Sequence, residues 1–122
     1  MRGQSKFSIP FTSLKNKVLP RDYELSLVFV DSNFSRKLNR TYRGKNKSAN
    51  ILSFPLSNKC GEIFIDLITA RKEMKKFNMS FKKFVTYLFI HGLLHLKGMR
   101  HGDTMEKAEQ KLLYGASNRS WY

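Results

Sequence analysis

The residues of this chain best suited to chemistry lie in HGLLHLKGMRH, residues 91–101, which contains all three histidines. A spacing of four is slightly over one helical turn, so a helix would project His91 and His95 from the same side, close enough to share an ion. On a straight helix His101 would lie about 15 Å beyond His91, so the chain must turn back to bring it near. Gly98 can supply that turn, because glycine adopts left-handed dihedral angles without steric cost.

Three neutral imidazoles with an open fourth position are the ligands of a catalytic zinc site, whereas structural zinc sites normally have four protein ligands. We therefore predict one zinc ion per chain, bound by His91, His95 and His101. The spacing is similar to that of the metzincin metalloproteases, which place a general-base glutamate directly after the first histidine. That position is Gly92 here, so peptide hydrolysis by that mechanism is disfavoured. Its small size suggests instead that another segment packs closely against the helix.

The basic residues indicate a polyanionic partner. The 122 residues carry a formal net charge of +14, which favours nucleic acid or an anionic membrane surface. No acidic residue occurs between Asp31 and Glu62, and this interval contains Arg36, Lys37, Arg40, Arg43, Lys45, Lys47 and Lys59. A second cluster is interrupted only by Glu73 and contains Arg71, Lys72, Lys75, Lys76, Lys82 and Lys83. This uneven distribution favours a binding surface over a merely soluble basic protein.

Length and composition predict one domain, residues 1–122, in the cytoplasm. A chain of this length forms one core, and a lone cysteine fits a reducing compartment. The segment MRGQSKFSIPF lacks the apolar run of a signal peptide. The longest apolar stretch, FVTYLFIHGLLHL, is shorter than a membrane span. We therefore expect no membrane association.

The first half of the chain predicts alternating strands and helices. KFSIPF (6–11) is read as a short strand, 11–22 as irregular or weakly helical, and ELSLVFV (24–30) as a strand. Asp31 or Ser32 can cap a helix to about Tyr42, with an apolar face of Phe34, Leu38 and Tyr42. RGKNKSAN is a loop, followed by short strands at ILSF (51–54) and EIFI (62–65).

The second half predicts three helices. Asp66 can cap the first, from 67 to about 77, and Asn78 ends it. Ser80 caps a helix over about 81–97, which is apolar on most sides and therefore central and buried, and Gly98 ends it. Asp103 and Glu106 resemble a capping box for the last helix, whose inner face contains Met105, Ala108 and Leu112.

Three segments resemble the YbeY-type endoribonucleases, which are involved in ribosomal RNA maturation. HGLLHLKGMRH is similar to that family's HGxLHLxGYDH, NRTYRGKNKSANILSFP (39–55) to its N-x-x-Y-R-G-K-D-x-x-T-D/N-V-L-S-F-P, and GEIFI (61–65) to its G-D-I-x-I strand. The resemblance covers roughly residues 24–115. It implies an α+β fold with a small mixed sheet packed with helices. It also implies zinc bound by the three histidines, action on single-stranded RNA, and a role in activity for Arg43.

The expected partner is RNA, namely a ribosomal RNA precursor, together with a ribosomal subunit or ribosomal proteins. Phosphodiester cleavage needs positive charge near the phosphate oxygens, and Arg43 can supply it at the start of a loop. Arg36, Arg40 and Arg43 fall on one helix face, so we expect them to bind RNA together with Lys45 and Lys47.

One departure from the family keeps other functions open. Met99 and Arg100 occupy the positions of the family's tyrosine and aspartate, and an aspartate there could orient a ligand. Facing an ion ~8 Å away, Arg100 would repel it by about 1–4 kcal/mol, so it should point outward or contact phosphate. The alternative is a non-catalytic RNA- or ribosome-binding factor with a structural metal. A weaker one, a metal-dependent hydrolase of another substrate such as a peptide, is disfavoured by Gly92.

Overall fold

The computed structural model describes residues 8–117, which contain five α-helices and three β-strands. In chain order they are α1 (Phe11–Val18), β1 (Glu24–Val30), α2 (Ser32–Arg43), β2 (Ile51–Ser57), β3 (Cys60–Asp66), α3 (Leu67–Glu73), a 3-10 turn (Met74–Phe77), α4 (Phe81–Leu96) and α5 (Asp103–Ser117). One small sheet packed with helices confirms the expected α+β class. Within the described residues, no helix combines the length and hydropathy that a membrane span requires.

The three strands form one mixed sheet in the order β1-β3-β2. Ile63, in the central strand β3, pairs with Leu27 of the parallel strand β1 and with Ser53 of the antiparallel strand β2. Pro55 lies in β2, where it is tolerated because an edge strand needs hydrogen bonds on only one side. The pairing register shifts between Pro55 and Ser57.

The inner face of the sheet packs against α4, which is the central helix of the fold. Leu25, Leu27, Ile63 and Ile65 alternate along their strands, so all four lie on this face, and all are buried. On α4 the fully buried apolar residues are Phe84, Val85, Phe89, Ile90 and Leu93. The Ser80 side chain accepts a hydrogen bond from the Lys83 N–H at 3.2 Å and caps the helix. The prediction of a capped, buried central helix is confirmed.

The helix α4 packs closely against the sheet at Gly92. A Cβ atom at this position would lie 2.9 Å from Cδ1 of Ile51 and 3.1 Å from Cδ1 of Ile63. The Ser53 hydroxyl also donates a hydrogen bond to the Gly92 carbonyl at 3.0 Å. The predicted close packing of another segment is therefore confirmed, and the segment is the β2–β3 hairpin.

The helix α2 buries polar residues rather than its apolar face. Ser35 and Asn39 are 1% and 2% exposed, whereas Phe34 and Tyr42 are 44% and 67% exposed. The Ser35 hydroxyl donates to the Ala49 carbonyl at 2.6 Å and accepts from the Ala49 N–H at 2.9 Å. Buried backbone groups of a loop need such partners, so the side of α2 that faces residues 44–50 must be polar.

Two local predictions at the ends of the chain are wrong. KFSIPF (6–11) is not a strand: residues 8–10 have no regular structure and Phe11 begins α1, while Lys6 and Phe7 lie outside the described residues. Ile9 and Phe11 are both buried, so their two-residue spacing imitated a strand. At the other end, Asp103 is the first residue of α5 and not its cap.

Candidate metal centre

The end of α4 and the turn after it bring the three histidines together. His91 and His95 lie one turn apart, with their Nε2 atoms separated by 3.0 Å. The chain then reverses at Gly98, which has a φ of 100°. The ring centroid of His101 comes within 5.0 Å of that of His91 and 4.9 Å of that of His95. One nitrogen from each histidine lies within 4.8 Å of the others, an arrangement that could hold a metal ion.

Hydrogen bonds at the far side of two rings determine where their lone pairs point. Nδ1 of His91 lies 2.7 Å from Oε2 of Glu109, and Nδ1 of His95 lies 3.1 Å from the Met99 carbonyl oxygen. A carbonyl can only accept, and a carboxylate normally accepts, so both Nδ1 atoms donate. Each neutral ring then has its lone pair on Nε2.

Two lone pairs therefore face each other between His91 and His95. At 3.0 Å this contact is repulsive unless a cation lies between the nitrogens. A tetrahedral zinc ion with bonds of about 2.0–2.1 Å holds its nitrogen ligands roughly 3.3 Å apart, close to the observed separation. The donor set and its orientation thus fit a divalent metal ion.

Glu109 is a site residue that the sequence reasoning missed. It is only 4% exposed although it is charged, and it lies on α5 one turn after the buried Met105. The Met105–Glu109 spacing of four placed an acid on the inner face of the helix, which was the available signal. Through its contact with Nδ1, Glu109 orients His91 from a buried position, as carboxylates often do behind metal ligands.

Tyr87 also lies near this carboxylate. Burial raises the pKa of Tyr87, and the carboxylates of Glu109 and Glu106 raise it further.

The environment of His95 favours the neutral form that binds metals. Burial lowers the pKa of His95, and the nearby His91, His101 and Arg43 lower it further. The hydrogen bond to the Met99 carbonyl acts in the opposite direction but does not reverse the shift. His95 therefore remains unprotonated to a lower pH than an ordinary histidine.

The histidines lie in an open cleft of about 690 Å³ with one basic wall. Arg43, Lys45 and Lys47, from the end of α2 and the following loop, form that wall. Arg36 and Arg40 are exposed but do not line the cleft. The Nε atom of Arg36 instead donates to Oδ1 of Asn46 at 2.9 Å. Arg36 thereby supports residues 44–50, the basic loop, from outside the cleft.

Polar contacts hold the basic loop against the rest of the protein. Gly44 ends α2 in the left-handed conformation, with a φ of 68°. The Asn39 side chain donates to the Lys47 carbonyl at 2.9 Å, and the hydroxyls of Ser48 and Thr69 are hydrogen-bonded at 3.0 Å. Thr69 in turn donates to Asp66, which caps α3. These contacts therefore connect the basic loop to Asp66, at the end of the central strand β3.

Glu73 is the one acid among the residues that line the cleft within the described chain. Its Oε1 accepts a hydrogen bond from Nδ2 of Asn50 at 2.6 Å. This contact connects α3 to the start of β2, directly beside the basic loop. One lone pair of the carboxylate is thereby engaged in holding the cleft wall.

Arg100, which departs from the family's motif before the third histidine, does not direct its positive charge toward the metal centre. Arg100 is exposed and is not among the residues that line the cleft. Met99 is half-buried against the core, and its backbone carbonyl accepts a hydrogen bond from His95. Of the two orientations expected for Arg100, the structure has the outward one.

Fold and site together define a small α+β protein with a three-histidine candidate metal centre at the floor of a basic cleft. The family model described as endoribonuclease YbeY matches residues 6–116, and the chain belongs to this family. The endoribonuclease YbeY of Desulforamulus reducens is 37% identical over 106 residues, covering 77% of this chain and 69% of the relative. That of Alkaliphilus metalliredigens is 34% identical over 111 residues, covering 82% and 72%.

A solved structure has the same fold. The solution structure of TM1509 from Thermotoga maritima matches with a TM-score of 0.68 at 23% sequence identity. The match covers 96% of this chain and 87% of the other. The arrangement of strands and helices is therefore retained even where most residues differ.

Proposed function

We propose that the protein is a zinc-dependent endoribonuclease that cleaves single-stranded RNA during ribosomal RNA maturation and ribosome quality control. The observation that carries this proposal is the facing pair of Nε2 lone pairs, 3.0 Å apart, beside a wall of three cations. Membership of the endoribonuclease YbeY family supports the same activity. The preference for a single strand rests on the motif resemblance.

His91, His95 and His101 would hold the ion in this proposal. A bound zinc ion would supply positive charge to a phosphate oxygen or lower the pKa of water. Glu109 holds His91 in the orientation and tautomer that binding needs. The backbone carbonyl of Met99 does the same for His95.

Arg43 is the proposed catalytic residue of the chain. It lines the cleft with the histidines and lies close enough to lower the pKa of His95. Its planar guanidinium can donate two hydrogen bonds to a phosphate as negative charge accumulates there during cleavage. Lys45 and Lys47 would neutralise neighbouring phosphates and hold the strand in place.

The same proposal includes a cytoplasmic location, one domain spanning residues 1–122, and a ribosomal subunit or ribosomal proteins as further partners. The lone cysteine and the strongly basic chain support these parts. A peptide substrate is disfavoured, because the position of a protease's general base is Gly92, which is packed against Ile51 and Ile63.

Metal analysis combined with cleavage tests the proposal. The wild type should contain one zinc ion per chain and cleave an unstructured RNA, while His95→Ala should lose both properties. Removing the metal with a chelator should lower the melting temperature, because an ion that binds only the folded state stabilises it. Undiminished zinc content in His91→Ala, His95→Ala and His101→Ala would rule out this ligand set.

Arg43→Lys separates an enzyme from a binding factor. Lysine keeps the charge but loses the planar fork, so single-turnover cleavage should fall by about 100-fold or more while RNA affinity changes little. Equal losses in rate and affinity would make Arg43 a plain phosphate contact. If the metal-loaded wild type cleaves no single-stranded RNA, a non-catalytic RNA- or ribosome-binding factor with a structural metal becomes the better account.

A further inference from the structure

Four aromatic rings form a row on the outer face of the sheet, away from α4. Tyr42 of α2 starts it, with its ring centroid 5.2 Å from that of Phe54 on β2. Phe54 is followed by Phe64 at 5.9 Å, and Phe64 by Phe34 at 6.2 Å. Tyr42 is 67% exposed, whereas Phe54 and Phe64 are half-buried. The Tyr42 end of the row thus presents its ring to solvent.

This exposed end adjoins the cleft. Tyr42 directly precedes Arg43, and Phe54 directly follows Ser53, and both Arg43 and Ser53 line the cleft. Consecutive Cα atoms are about 3.8 Å apart, so the backbone of Tyr42 lies within one nucleotide's reach of Arg43, whereas alternation along β2 turns Ser53 toward α4 and Phe54 to the outer face. A strand that leaves the cleft past Arg43 would meet the ring of Tyr42 first.

The charges around the pair favour a polyanion such as a phosphate backbone over an apolar or basic protein surface. The preceding turn of α2 carries the exposed Arg40, and residues 32–61 contain no acid. The nearest acid along the sheet is Glu62, which pairs in register with Phe54. A phosphate backbone is therefore favoured on the α2 side of the rings and disfavoured on the β3 side.

We propose that Tyr42 and Phe54 form a stacking subsite for one base of the single strand whose phosphate is held at Arg43. The inference rests on the proposed function and adds how the substrate is held. Aromatic side chains stack on any base, because every base has a π face. Unpaired bases can be splayed out to offer that face, so this subsite selects single strands without selecting sequence.

Fluorescence of 2-aminopurine tests stacking directly. The base analogue is placed in turn at each position of a short single-stranded RNA, and stopped-flow mixing with the zinc-loaded protein reads quenching before cleavage. The wild type and Tyr42→Phe should quench one position. Tyr42→Ala should lose that quenching and bind about 5- to 150-fold more weakly, the range of one base stack. The salt dependence should not change, because no charge is removed.

Thr41→Ala is the matched control, since Thr41 is the exposed neighbour on α2 and has no ring. It should behave as the wild type. Tyr42→Ala should still fold, because a residue so exposed buries little apolar surface. Circular dichroism and melting temperature verify this point.

The possible outcomes decide the subsite and the proposed function separately. Unchanged quenching and affinity in Tyr42→Ala, with RNA still cleaved, removes the subsite and leaves the proposed function intact. Quenching that depends on Tyr42 without any cleavage removes the enzyme and leaves the subsite. Absence of both binding and cleavage removes both. Self-association of the wild type that is lost in Tyr42→Ala, with RNA quenching unchanged, would assign the rings to a second copy of the chain.

Discussion

The two faces of the sheet are built from the same strands but are packed differently. On the inner face, buried aliphatic side chains of β1 and β3 meet a helix whose buried residues are also mostly apolar. On the outer face, α2 turns Ser35 and Asn39 inward and leaves Phe34 and Tyr42 largely exposed. The inner face therefore supports the histidines through apolar packing, and the outer face supports the basic loop through hydrogen bonds.

This difference in packing matches the residues that each face of the sheet positions: the histidines on the inner side and the basic wall on the outer side. His91 and His95 must keep fixed distances, and close packing around α4 restrains them. Arg43, Lys45 and Lys47 are carried by a helix end and a loop, whose backbone groups need polar partners. A loop held by a few hydrogen bonds is expected to adjust more readily to a substrate than a helix packed in a core.

The same substitution on each face should reveal the contrast most strongly. Phe89→Ala leaves a cavity in the core under α4 and should lower the free energy of unfolding by about 3–5 kcal/mol. Phe34→Ala, on the half-exposed outer face, should cost about 1 kcal/mol. Urea denaturation measures both. Equal costs would show that the outer rings are as tightly packed as the core.

Glu109 tests the inner side at the metal centre. Removing its carboxylate leaves the Nδ1–H of His91 without its partner, so Glu109→Ala should weaken metal affinity by about 10–100-fold. Glu109→Gln keeps an acceptor and should lose less. Competition with a chromogenic chelator gives the affinities. Glu106→Gln, at an exposed position on the same helix, is the control, and an equal loss there would contradict a specific role for Glu109.

Ser35 tests the outer side. Ser35→Ala removes both hydrogen bonds to Ala49 and should lower the free energy of unfolding by about 1 kcal/mol. Because the loop loses an anchor, RNA cleavage should fall while metal content stays unchanged. Asn33→Ala, exposed on the same helix, should alter neither property. Loss of metal in Ser35→Ala would mean that the two sides are not independent.

The smallest effect is expected for the arginines outside the cleft. Arg36→Ala combined with Arg40→Ala should weaken RNA binding a few-fold. The slope of log affinity against log salt concentration should become shallower by about one unit for each lost phosphate contact. Lys17→Ala, exposed on α1, removes a charge elsewhere as a control. If affinity and salt slope in the double variant equal those of the wild type, the RNA path lies along Arg43, Lys45 and Lys47 and does not reach Arg36 or Arg40.

The inner side could be predicted from the sequence. The apolar positions of α4, its Ser80 cap, the reversal at Gly98 and the convergence of the histidines all follow from local rules of helix geometry. The strands at 24–30, 51–54 and 62–65 were also found, each within or equal to the observed strand. The strand predicted at residues 6–11 is wrong, because Ile9 and Phe11 are buried from an irregular segment and from the start of a helix.

The outer side could not be predicted in the same way. Periodicity identified the apolar row of α2 but not that polar residues would be its buried ones, since the loop that needs them lies beyond the helix. Nor could it assign Arg36 and Arg40 to the outside of the cleft, since their helix face was known but not its neighbours.

On the inner side, Glu109 is the exception. It could not be predicted, because its partner His91 comes from a different helix.

The parallel pairing of β1 with β3 has a consequence for the order in which the molecule assembles. The β2–β3 hairpin joins Ser57 to Cys60 across a tight turn, whereas the parallel pair must join Glu24 to Cys60 and enclose α2 and the basic loop. Closing the longer loop costs more chain entropy and is slower. The histidines and Glu109 are contributed by two consecutive helices and the turn between them, so we expect the centre to form early and the basic wall to close over it late.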